Sequence, residues 1–160
     1  YLAMPQKFLV DIDTIDLNEI IADMDSIRLI VPHRYEMEQL SGILKFDPEN
    51  KIIIGYKDVK EDEFWVRGHI PGNPLMPGVL MVEAAAQLCT YYFKSSIDTE
   101  KFFGFGGIDK VKFRGKVLPG DKLIIIAKNS ELRARRAIFD AQGIVNGKLV
   151  FEGKIIGMAM

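Results

Sequence analysis

The segment from Val79 to Phe93 constrains the fold more than any other part of this sequence. It contains neither glycine nor proline, and most of its residues favour a helix. Its apolar residues would surround almost the whole helix: Val79, Leu80, Met81, Val82, Ala84, Ala85, Ala86, Leu88, Cys89 and Phe93. A helix that is apolar all round cannot lie on a surface, because other structure must cover it. The sequence therefore predicts a central helix wrapped by the rest of the chain.

Strand-like segments surround this helix in the sequence. Four of them follow it, over residues 103–117, 123–132, 134–145 and 149–158. The last two are separated by Asn146-Gly147, a strong signal for a tight hairpin. Before the helix, residues 40–46 and 52–59 flank a turn at 47–50 and predict a second hairpin. The segments together predict an α+β domain, in which a curved, mainly antiparallel sheet wraps one long central helix.

The N-terminal part carries two further patterns. From Asp16 to Ile30 apolar residues recur at helical spacing, so we expect a first helix that ends before Pro32. Residues 1–16 are mixed and acidic, and we interpret them either as a loose N-terminal arm or as an edge strand around Lys7–Ile12. No linker or repeat divides the sequence, so we expect a single domain over residues 1–160.

Composition and charge exclude several classes of protein. The net charge of −1 lacks the basic excess that is typical of nucleic-acid-binding proteins. No apolar run approaches the roughly 18 residues that a membrane-spanning helix needs. The single cysteine, Cys89, cannot form an internal disulfide and suits a reducing compartment. We therefore expect a cytoplasmic protein without a nucleic-acid partner and without membrane insertion.

Glycine and proline crowd the loop from Gly68 to Gly78, directly before the central helix. Prolines stiffen such a loop, and glycines let its backbone approach a ligand closely. The free N–H groups of the first helical turn, near Gly78 and Val79, point outward at the positive end of the helix dipole. These groups are suited to bind a developing oxyanion, such as the carbonyl oxygen of a thioester that becomes an enolate.

Two candidate catalytic residues accompany this loop. His69 lies within it, and Glu83 lies on an otherwise apolar helix. Burial of an unpaired carboxylate is expensive, so we expect Glu83 to be protonated, hydrogen-bonded or open to a cavity. Burial would raise the pKa of Glu83 towards that of a general acid, and Gln87, on the same helical face, is suited to orient it. Each residue alone has an ordinary structural interpretation, but their combination around this loop favours a catalytic site.

Several motifs carry a resemblance to a known family. They are Gly68–Leu80 and Val82–Gln87 around the loop and helix, Pro32–Tyr35 upstream, and Gly107–Arg114 with Val117–Asp121 downstream. This pattern closely resembles the signature of the 3-hydroxyacyl-acyl carrier protein dehydratases of type II fatty acid synthesis. The resemblance covers roughly residues 30–157.

The resemblance implies a hotdog fold, a long helix wrapped by an antiparallel sheet, and homodimers, some of which form trimers of dimers. Each site would combine His69 of one subunit with Glu83 of the other. His69 would take a proton from C2 of a (3R)-3-hydroxyacyl thioester, and Glu83 would help to protonate the departing C3 hydroxyl. The product would be a trans-2-enoyl thioester, with the thioester carbonyl polarised by the N–H groups of Gly78 and Val79. No metal or other cofactor would be needed, because the thioester itself acidifies C2.

The family's substrate arrives on the phosphopantetheine arm of an acidic acyl carrier protein. Alternating basic residues would project from one face of a strand: Lys110, Lys112, Arg114 and Lys116. They fit either a docking ridge for that carrier protein or the solvated face of a half-exposed strand. A second candidate group comprises Arg133, Arg135 and Arg136. We expect His33 and Arg34 to support the fold or the site entrance rather than to perform chemistry.

Three departures from the family pattern bear on the substrate. The segment Glu36–Leu40 replaces the usual Pro-Phe and short apolar run that help to form the interface and the substrate tunnel. Ile70 replaces the usual aromatic residue, and Trp65 stands where Phe is commoner. These changes leave the preferred acyl chain length open. Glutamate rather than aspartate at position 83 favours the plain dehydratase over the branch that also isomerises the double bond.

Two other functions are compatible with such a fold. A hotdog thioesterase would hydrolyse the thioester, generally with a helix carboxylate but without this histidine loop. A non-catalytic acyl-thioester-binding protein would need no buried acid. His69 and Glu83 together therefore favour the dehydratase.

Overall fold

One six-stranded sheet and one long helix make up most of the computed structural model, which describes residues 7–160. The elements are α1 (Met24–Arg28), β1 (Gly42–Asp47), β2 (Ile52–Asp58), α2 (Gly78–Ser96), β3 (Phe103–Phe113), β4 (Lys122–Arg133), β5 (Arg136–Val145) and β6 (Lys148–Ala159). Short 3₁₀ turns lie at Ile12–Thr14 and Tyr35–Met37. The strand order is β1-β2-β4-β5-β6-β3, and all neighbouring strands are antiparallel.

Helix α2 is 19 residues long and packs against one face of the curved sheet. Its aromatic residues fix it there: Phe93 stacks on Phe103 of β3 at 4.4 Å between ring centroids, and Tyr92 meets Phe139 of β5 edge to face at 5.3 Å. Such pairs stabilise a core by about 0.5–1.5 kcal/mol beyond the area they bury. The predicted architecture, one long central helix wrapped by a curved antiparallel sheet, is confirmed.

The predicted hairpins are also present. Asn146 and Gly147 join β5 to β6 with φ of 50° and 77°, the left-handed conformation that a type I′ turn requires at both central positions. Strands β1 and β2 flank the first turn as predicted. Strand β3 ends at Phe113, four residues before the predicted end, and among the described strands it pairs only with β6. It is therefore an edge of the sheet.

The predicted helix over Asp16–Ile30 is wrong for most of its length, because α1 covers only residues 24–28. Upstream, Ala22 forms an antiparallel bridge with Ile43 of β1, and the N–H of Ile43 donates to the carbonyl of Ala22 over 2.9 Å. A residue that pairs with a strand in this way cannot continue an α-helix. Asp23 then caps the short helix by accepting a backbone N–H.

The described part of the N-terminal arm, from residue 7 onwards, lies on the face of the sheet opposite α2. Strand residues alternate between the two faces, so a second apolar cluster forms there: Leu44, Ile52, Ile54, Tyr56, Ile124, Ile126, Ile144 and Leu149. Arm residues between Phe8 and Ile15 pack on this cluster. Of the two alternatives for Lys7–Ile12, the edge strand is wrong, since these residues form no strand. They lie as an arm whose backbone is bound by the side chain of Gln142 at Leu9 N and at Lys7 O, each over 2.9 Å. The predicted arm over residues 1–6 lies outside the described residues.

Candidate active site

The loop before α2 is anchored at both ends. Trp65, just before the loop, and Met76, near its end, are buried, and the N–H of Met76 donates to the carbonyl of Val117 over 2.8 Å. Between them, residues 70–73 are exposed. The loop thus presents its middle to solvent on a fixed base.

His69 is oriented by two hydrogen bonds within this loop. Its backbone N–H donates to the carbonyl of Trp65 over 2.7 Å, and its Nδ1 lies 2.7 Å from the carbonyl oxygen of Leu75. Since a carbonyl oxygen only accepts, we assign the proton to Nδ1. The neutral ring then carries its lone pair on Nε2, as a general base requires.

The residue after His69 is held in a strained conformation. Ile70 has a φ of 64°, in the left-handed region that a β-branched residue rarely adopts. Its carbonyl accepts the N–H of Asn73 over 2.9 Å in a tight turn. Strain of this kind costs on the order of 1–3 kcal/mol and is tolerated where surrounding structure imposes it, often at functional sites.

Helix α2 begins with two free donors. Leu80 N donates to the carbonyl of Pro77 over 2.9 Å, but within residues 7–160 the N–H groups of Gly78 and Val79 have no acceptor. A Cβ at Gly78 would come within 2.8 Å of the Phe113 ring on β3, so only glycine fits there without a shift. The two N–H groups singled out from the sequence are thus placed together at the positive end of the helix.

Glu83 lies on α2 with 16% of its side chain exposed. Its Oε1 accepts a hydrogen bond from Gln87 Nε2 at 2.9 Å and lies 3.2 Å from His33 Nε2. Burial raises the pKa of Glu83, but the hydrogen bonds from His33 and Gln87 and the charge of His33 outweigh burial and lower the pKa below its ordinary value. The predicted increase in the pKa of Glu83 is therefore wrong, because the sequence did not reveal that His33 also contacts the carboxyl.

The segment Glu36–Leu40, which departs from the family pattern, is tied to this network. The N–H of Gln39 donates to Oε1 of Gln87 over 2.9 Å, in a buried position. One residue earlier, the Glu38 carboxylate accepts two hydrogen bonds from the Arg28 guanidinium, at 2.6 and 3.1 Å. The unusual residues therefore fix the segment that lies beside the helix carboxylate.

Glu83 opens into a pocket between α2, β3, β6 and the segment that carries His33. The pocket is lined by His33, Glu83, Ala86, Thr90, Phe103, Gly104, Phe105, Ile155, Ile156 and Gly157. Apart from His33 and Glu83, none of these residues is titratable at ordinary pH. The lining is otherwise apolar or weakly polar, as an acyl group would require. Among the described residues of one chain, His69 does not contribute to this pocket.

His33 is the site residue whose role the sequence did not identify. Its motif was visible, but its contact with Glu83 was not, because the two residues are distant in the sequence. A signal was nevertheless present. A carboxyl on a buried helix needs a partner, and this chain contains only two histidines.

The four basic residues do not project from one face of a strand, as the sequence predicted. Strand β3 ends at Phe113, so Arg114 and Lys116 lie beyond it, and Lys110, with a φ of 52°, lies in a bulge that breaks the alternation. Arg114 also pairs with Glu152 over 2.8 Å. All four basic side chains are exposed, but the prediction that they share one face of a strand is wrong. In the second group, Arg133 and Arg136 both pair with Glu131, at 3.3 and 3.2 Å.

Three further features of residues 7–160 concern metal clusters, membrane-spanning helices and the cysteine. No cluster of three or more His, Cys, Asp or Glu residues with metal-binding geometry occurs there. No helix in that part of the chain is long and apolar enough to cross a bilayer. Burial raises the pKa of the Cys89 thiol well above its ordinary value, so this thiol is not a reactive nucleophile.

Known proteins are similar to this chain over most of its length. A family described as FabA-like domain matches residues 31–154. A bifunctional enzyme LpxC/FabZ from Chlorobaculum tepidum is 40% identical over 144 residues, which are 88% of this chain but only 30% of that protein. A 3-hydroxyacyl-[acyl-carrier-protein] dehydratase FabZ from Clostridium botulinum (strain Loch Maree / Type A3) is 38% identical over 138 residues, 84% of this chain and 93% of that protein.

A comparison of solved structures identifies the fold. The dehydratase heterocomplex ApeI:P from Xenorhabdus doucetiae matches with a TM-score of 0.71 over 84% of this chain and 90% of that chain, at 14% identity. This likeness concerns the fold alone, which is a hotdog fold. The family match and the near full-length identity to the clostridial protein go further, and the chain belongs to the FabA-like family, among the FabZ-type 3-hydroxyacyl-[acyl-carrier-protein] dehydratases.

Proposed function

We propose that this chain converts (3R)-3-hydroxyacyl thioesters on acyl carrier protein to trans-2-enoyl thioesters and water, in fatty acid or related lipid biosynthesis. Its family makes it a dehydratase. One observation supports the proposal at the level of residues. The carboxyl group of Glu83 is held by His33 and Gln87 at the wall of a largely apolar pocket. An acid fixed in such a pocket is suited to exchange a proton with a hydroxyl group on an acyl chain.

His69 is the base in this reaction. With Nδ1–H donating to Leu75, its Nε2 takes the proton from C2 of the substrate. The electrons of the C2–H bond move towards the thioester carbonyl, whose oxygen gains negative charge. The free N–H groups of Gly78 and Val79 stabilise that charge, and one such donor typically contributes about 2.7–4 kcal/mol in the transition state.

Glu83 is the acid. It gives a proton to the C3 hydroxyl as the C3–O bond breaks, so water leaves and the C2–C3 double bond forms. The proton on His69 then returns to Glu83, so the cycle consumes no proton. Substrate binding displaces water from the pocket, which favours the neutral acid against the hydrogen bonds that lower its pKa in the free protein. The chemistry needs no cofactor, since the thioester activates C2.

The active unit is a homodimer. Four large apolar side chains are exposed around edge strand β3 and the start of α2: Phe105, Ile108, Phe113 and Val79. An open strand edge with exposed apolar residues favours pairing with another chain. Because His69 does not line the pocket of Glu83 within one chain, a second chain on this edge is the source of the histidine for each site.

The carrier protein docks through exposed lysines. Lys110, Lys112 and Lys116 are exposed and, within residues 7–160, form none of the ion pairs found, whereas Arg114 is paired. Unpaired surface lysines accelerate encounter with an acidic partner. A cytoplasmic location completes the proposal, since the free thiol of Cys89 suits a reducing compartment.

The test is incubation with 3-hydroxyacyl and trans-2-enoyl thioesters of several chain lengths, on carrier protein and on coenzyme A. We expect reversible conversion between the two, faster on the carrier protein. Charge-neutral variants of the three lysines should raise KM for the carrier-bound substrate and leave the coenzyme A substrate unaffected. Release of free thiol without enoyl product would instead identify a thioesterase. Binding without either reaction would identify an acyl-thioester-binding protein.

A further inference from the structure

The Glu83 carboxyl is held at only one of its two oxygens. Gln87 Nε2 and His33 Nε2 both approach Oε1, at 2.9 and 3.2 Å. Among residues 7–160, no hydrogen bond to Oε2 accompanies them. The carboxyl is therefore fixed in orientation, with Oε2 available to a ligand in the pocket.

Among the described residues, the one polar contact of the His33 side chain is with this carboxyl. Its Nδ1 is buried and has no hydrogen-bond partner within the described part of the chain. A buried ring nitrogen normally finds a hydrogen-bond partner in a histidine that serves the fold. The ring of His33 is instead directed to Oε1 alone.

The backbone around His33 is fixed independently of Glu83. The guanidinium of Arg34 donates to the carbonyl of His33 over 2.7 Å, to that of Val31 over 2.9 Å and to that of Arg28 over 2.8 Å. These bonds hold the turn that carries the imidazole. His33 can therefore position a carboxyl rather than be positioned by it.

Gln87 alone does not explain the arrangement. Its Nε2 is shared with the carbonyl of Met37, at 2.6 Å, and its Oε1 accepts the N–H of Gln39. Gln87 is thus a neutral donor fixed by backbone groups. The pocket walls add no titratable group: α2 contributes Ala86 and Thr90, β3 contributes residues 103–105 and β6 contributes residues 155–157. In the proposed dimer, His69 of the partner subunit also faces Glu83.

We propose that His33 is a positioning residue for the acid Glu83: its Nε2–H binds Oε1 and turns Oε2 towards the C3 hydroxyl of the substrate. In the dehydration step the Oε2–H bond breaks, the proton bonds to the leaving oxygen and the C3–O electron pair leaves with water. The C2–H electron pair becomes the double bond, and its proton is held by His69. This inference rests on the proposed dehydratase function.

Two variants at position 33 test the proposal against a matched control. His33→Ala removes the donor and the charge, whereas His33→Gln keeps a neutral donor. Tyr35→Phe is the control, because Tyr35 lies in the same turn, is 86% exposed and makes no side-chain hydrogen bond within residues 7–160. Thermal melting identifies the variants that remain folded.

The first readout does not depend on activity. In protein labelled with ¹³C at glutamate carboxyls, the Glu83 signal is assigned by its loss in Glu83→Gln and followed with pH. Burial raises the pKa of Glu83 and the contact with His33 lowers it, so the titration should move to higher pH in His33→Ala and by less in His33→Gln. Tyr35→Phe should titrate as the wild type does.

The second readout is the split between kcat and KM. We expect kcat to fall in His33→Ala by up to about a hundredfold, the effect of a misplaced catalytic group, with KM within about twofold because no substrate contact is lost. His33→Gln should recover part of kcat. The limb of the pH–rate profile that follows Glu83 should move in the same direction as the ¹³C titration.

Unchanged Glu83 titration and unchanged kcat in the folded variants would overturn the proposal. If neither variant folds, ¹⁵N spectra of the wild type test the proposal instead. An unprotonated Nε2 on His33 while Glu83 is ionised would show that His33 does not donate to the carboxyl. The failure of this inference is distinct from failure of the proposed function. A wild type without dehydration or hydration activity refutes the function, whereas the titration still reports whether His33 acts on Glu83.

Discussion

The Nδ1 atom of His69 lies 2.7 Å from the carbonyl oxygen of Leu75, so the loop itself selects one tautomer of the proposed base. Because the carbonyl can only accept, the neutral ring carries its proton on Nδ1 and its lone pair on Nε2. We expect ¹⁵N NMR of the neutral ring to give a protonated-type signal for Nδ1 and an unprotonated-type signal for Nε2. His69→Ala provides the assignment. A neutral ring protonated mainly on Nε2 would remove the lone pair that the base requires.

Gly78 is required by the close approach of β3 to the start of α2. A Cβ there would lie 2.8 Å from the ring of Phe113, which stacks on Phe151 at 6.0 Å between centroids. We expect Gly78→Ala to lower the free energy of unfolding by about 1–3 kcal/mol through overpacking and to lower kcat/KM by displacing the free N–H groups.

The double variant Gly78→Ala, Phe113→Ala supplies the control for this clash. Removal of the ring should make Gly78→Ala less costly than it is in the wild-type background, as measured by urea unfolding in a double-mutant cycle. Equal costs in both backgrounds would mean that the clash with Phe113 is not the cause.

Lys57 and Glu63 form an ion pair shortly before the loop that carries His69. Their charged atoms are 3.1 Å apart, and only 6% and 12% of the two side chains are exposed. Replacement of one partner leaves a buried charge unpaired, so we expect Lys57→Met to destabilise the fold by about 3–5 kcal/mol. Urea unfolding measures this.

Replacement of both partners separates the pair from simple packing. We expect Lys57→Met with Glu63→Leu to cost less than Lys57→Met alone, because no isolated charge is left buried. The N–H of Lys60 also donates to Glu63 Oε2 over 3.0 Å, so some loss should persist. A double variant less stable than Lys57→Met would contradict the account.

Stability should depend on pH through Glu83. Burial raises its pKa, but the hydrogen bonds from His33 and Gln87 outweigh burial, so the folded-state pKa lies below the unfolded value. A group of this kind stabilises the folded state above the unfolded pKa, about 4.3 for glutamate, and loses that contribution as pH falls through the folded pKa. The difference in unfolding free energy between wild type and Glu83→Gln should be constant near neutral pH and decrease in acid. A difference that grows in acid would mean that burial dominates.

The sequence predicted the architecture where local signals and burial agree. A helix as apolar as that around Leu88 must be covered by other structure. Asn146-Gly147 strongly favours one type of hairpin turn. The sequence-based prediction of a helix over Asp16–Ile30 failed, because the bridge between Ala22 and Ile43 is a long-range backbone pairing that helical spacing cannot reveal. Long-range hydrogen bonding overrode a local pattern there.

The site was predicted less completely than the fold. His69, Glu83 and Gln87 could be singled out because their residue types are unusual for their places in a loop and an apolar helix. The contact of His33 with Glu83, and with it the direction of the Glu83 pKa, depends on how the segment before β1 folds back onto α2. No spacing in the sequence encodes that approach.

The shared site is the central claim, and mixing two inactive chains tests it most directly. His69→Ala and Glu83→Gln, assayed separately for trans-2-enoyl thioester formation, should each be at least about a hundredfold slower than wild type, the lower range for acid–base groups. In a mixture that has exchanged subunits equally, half of the dimers are mixed and each has one intact site, so activity should rise to about a quarter of wild type. No recovery despite demonstrated exchange would contradict a site built from His69 of one chain and Glu83 of the other.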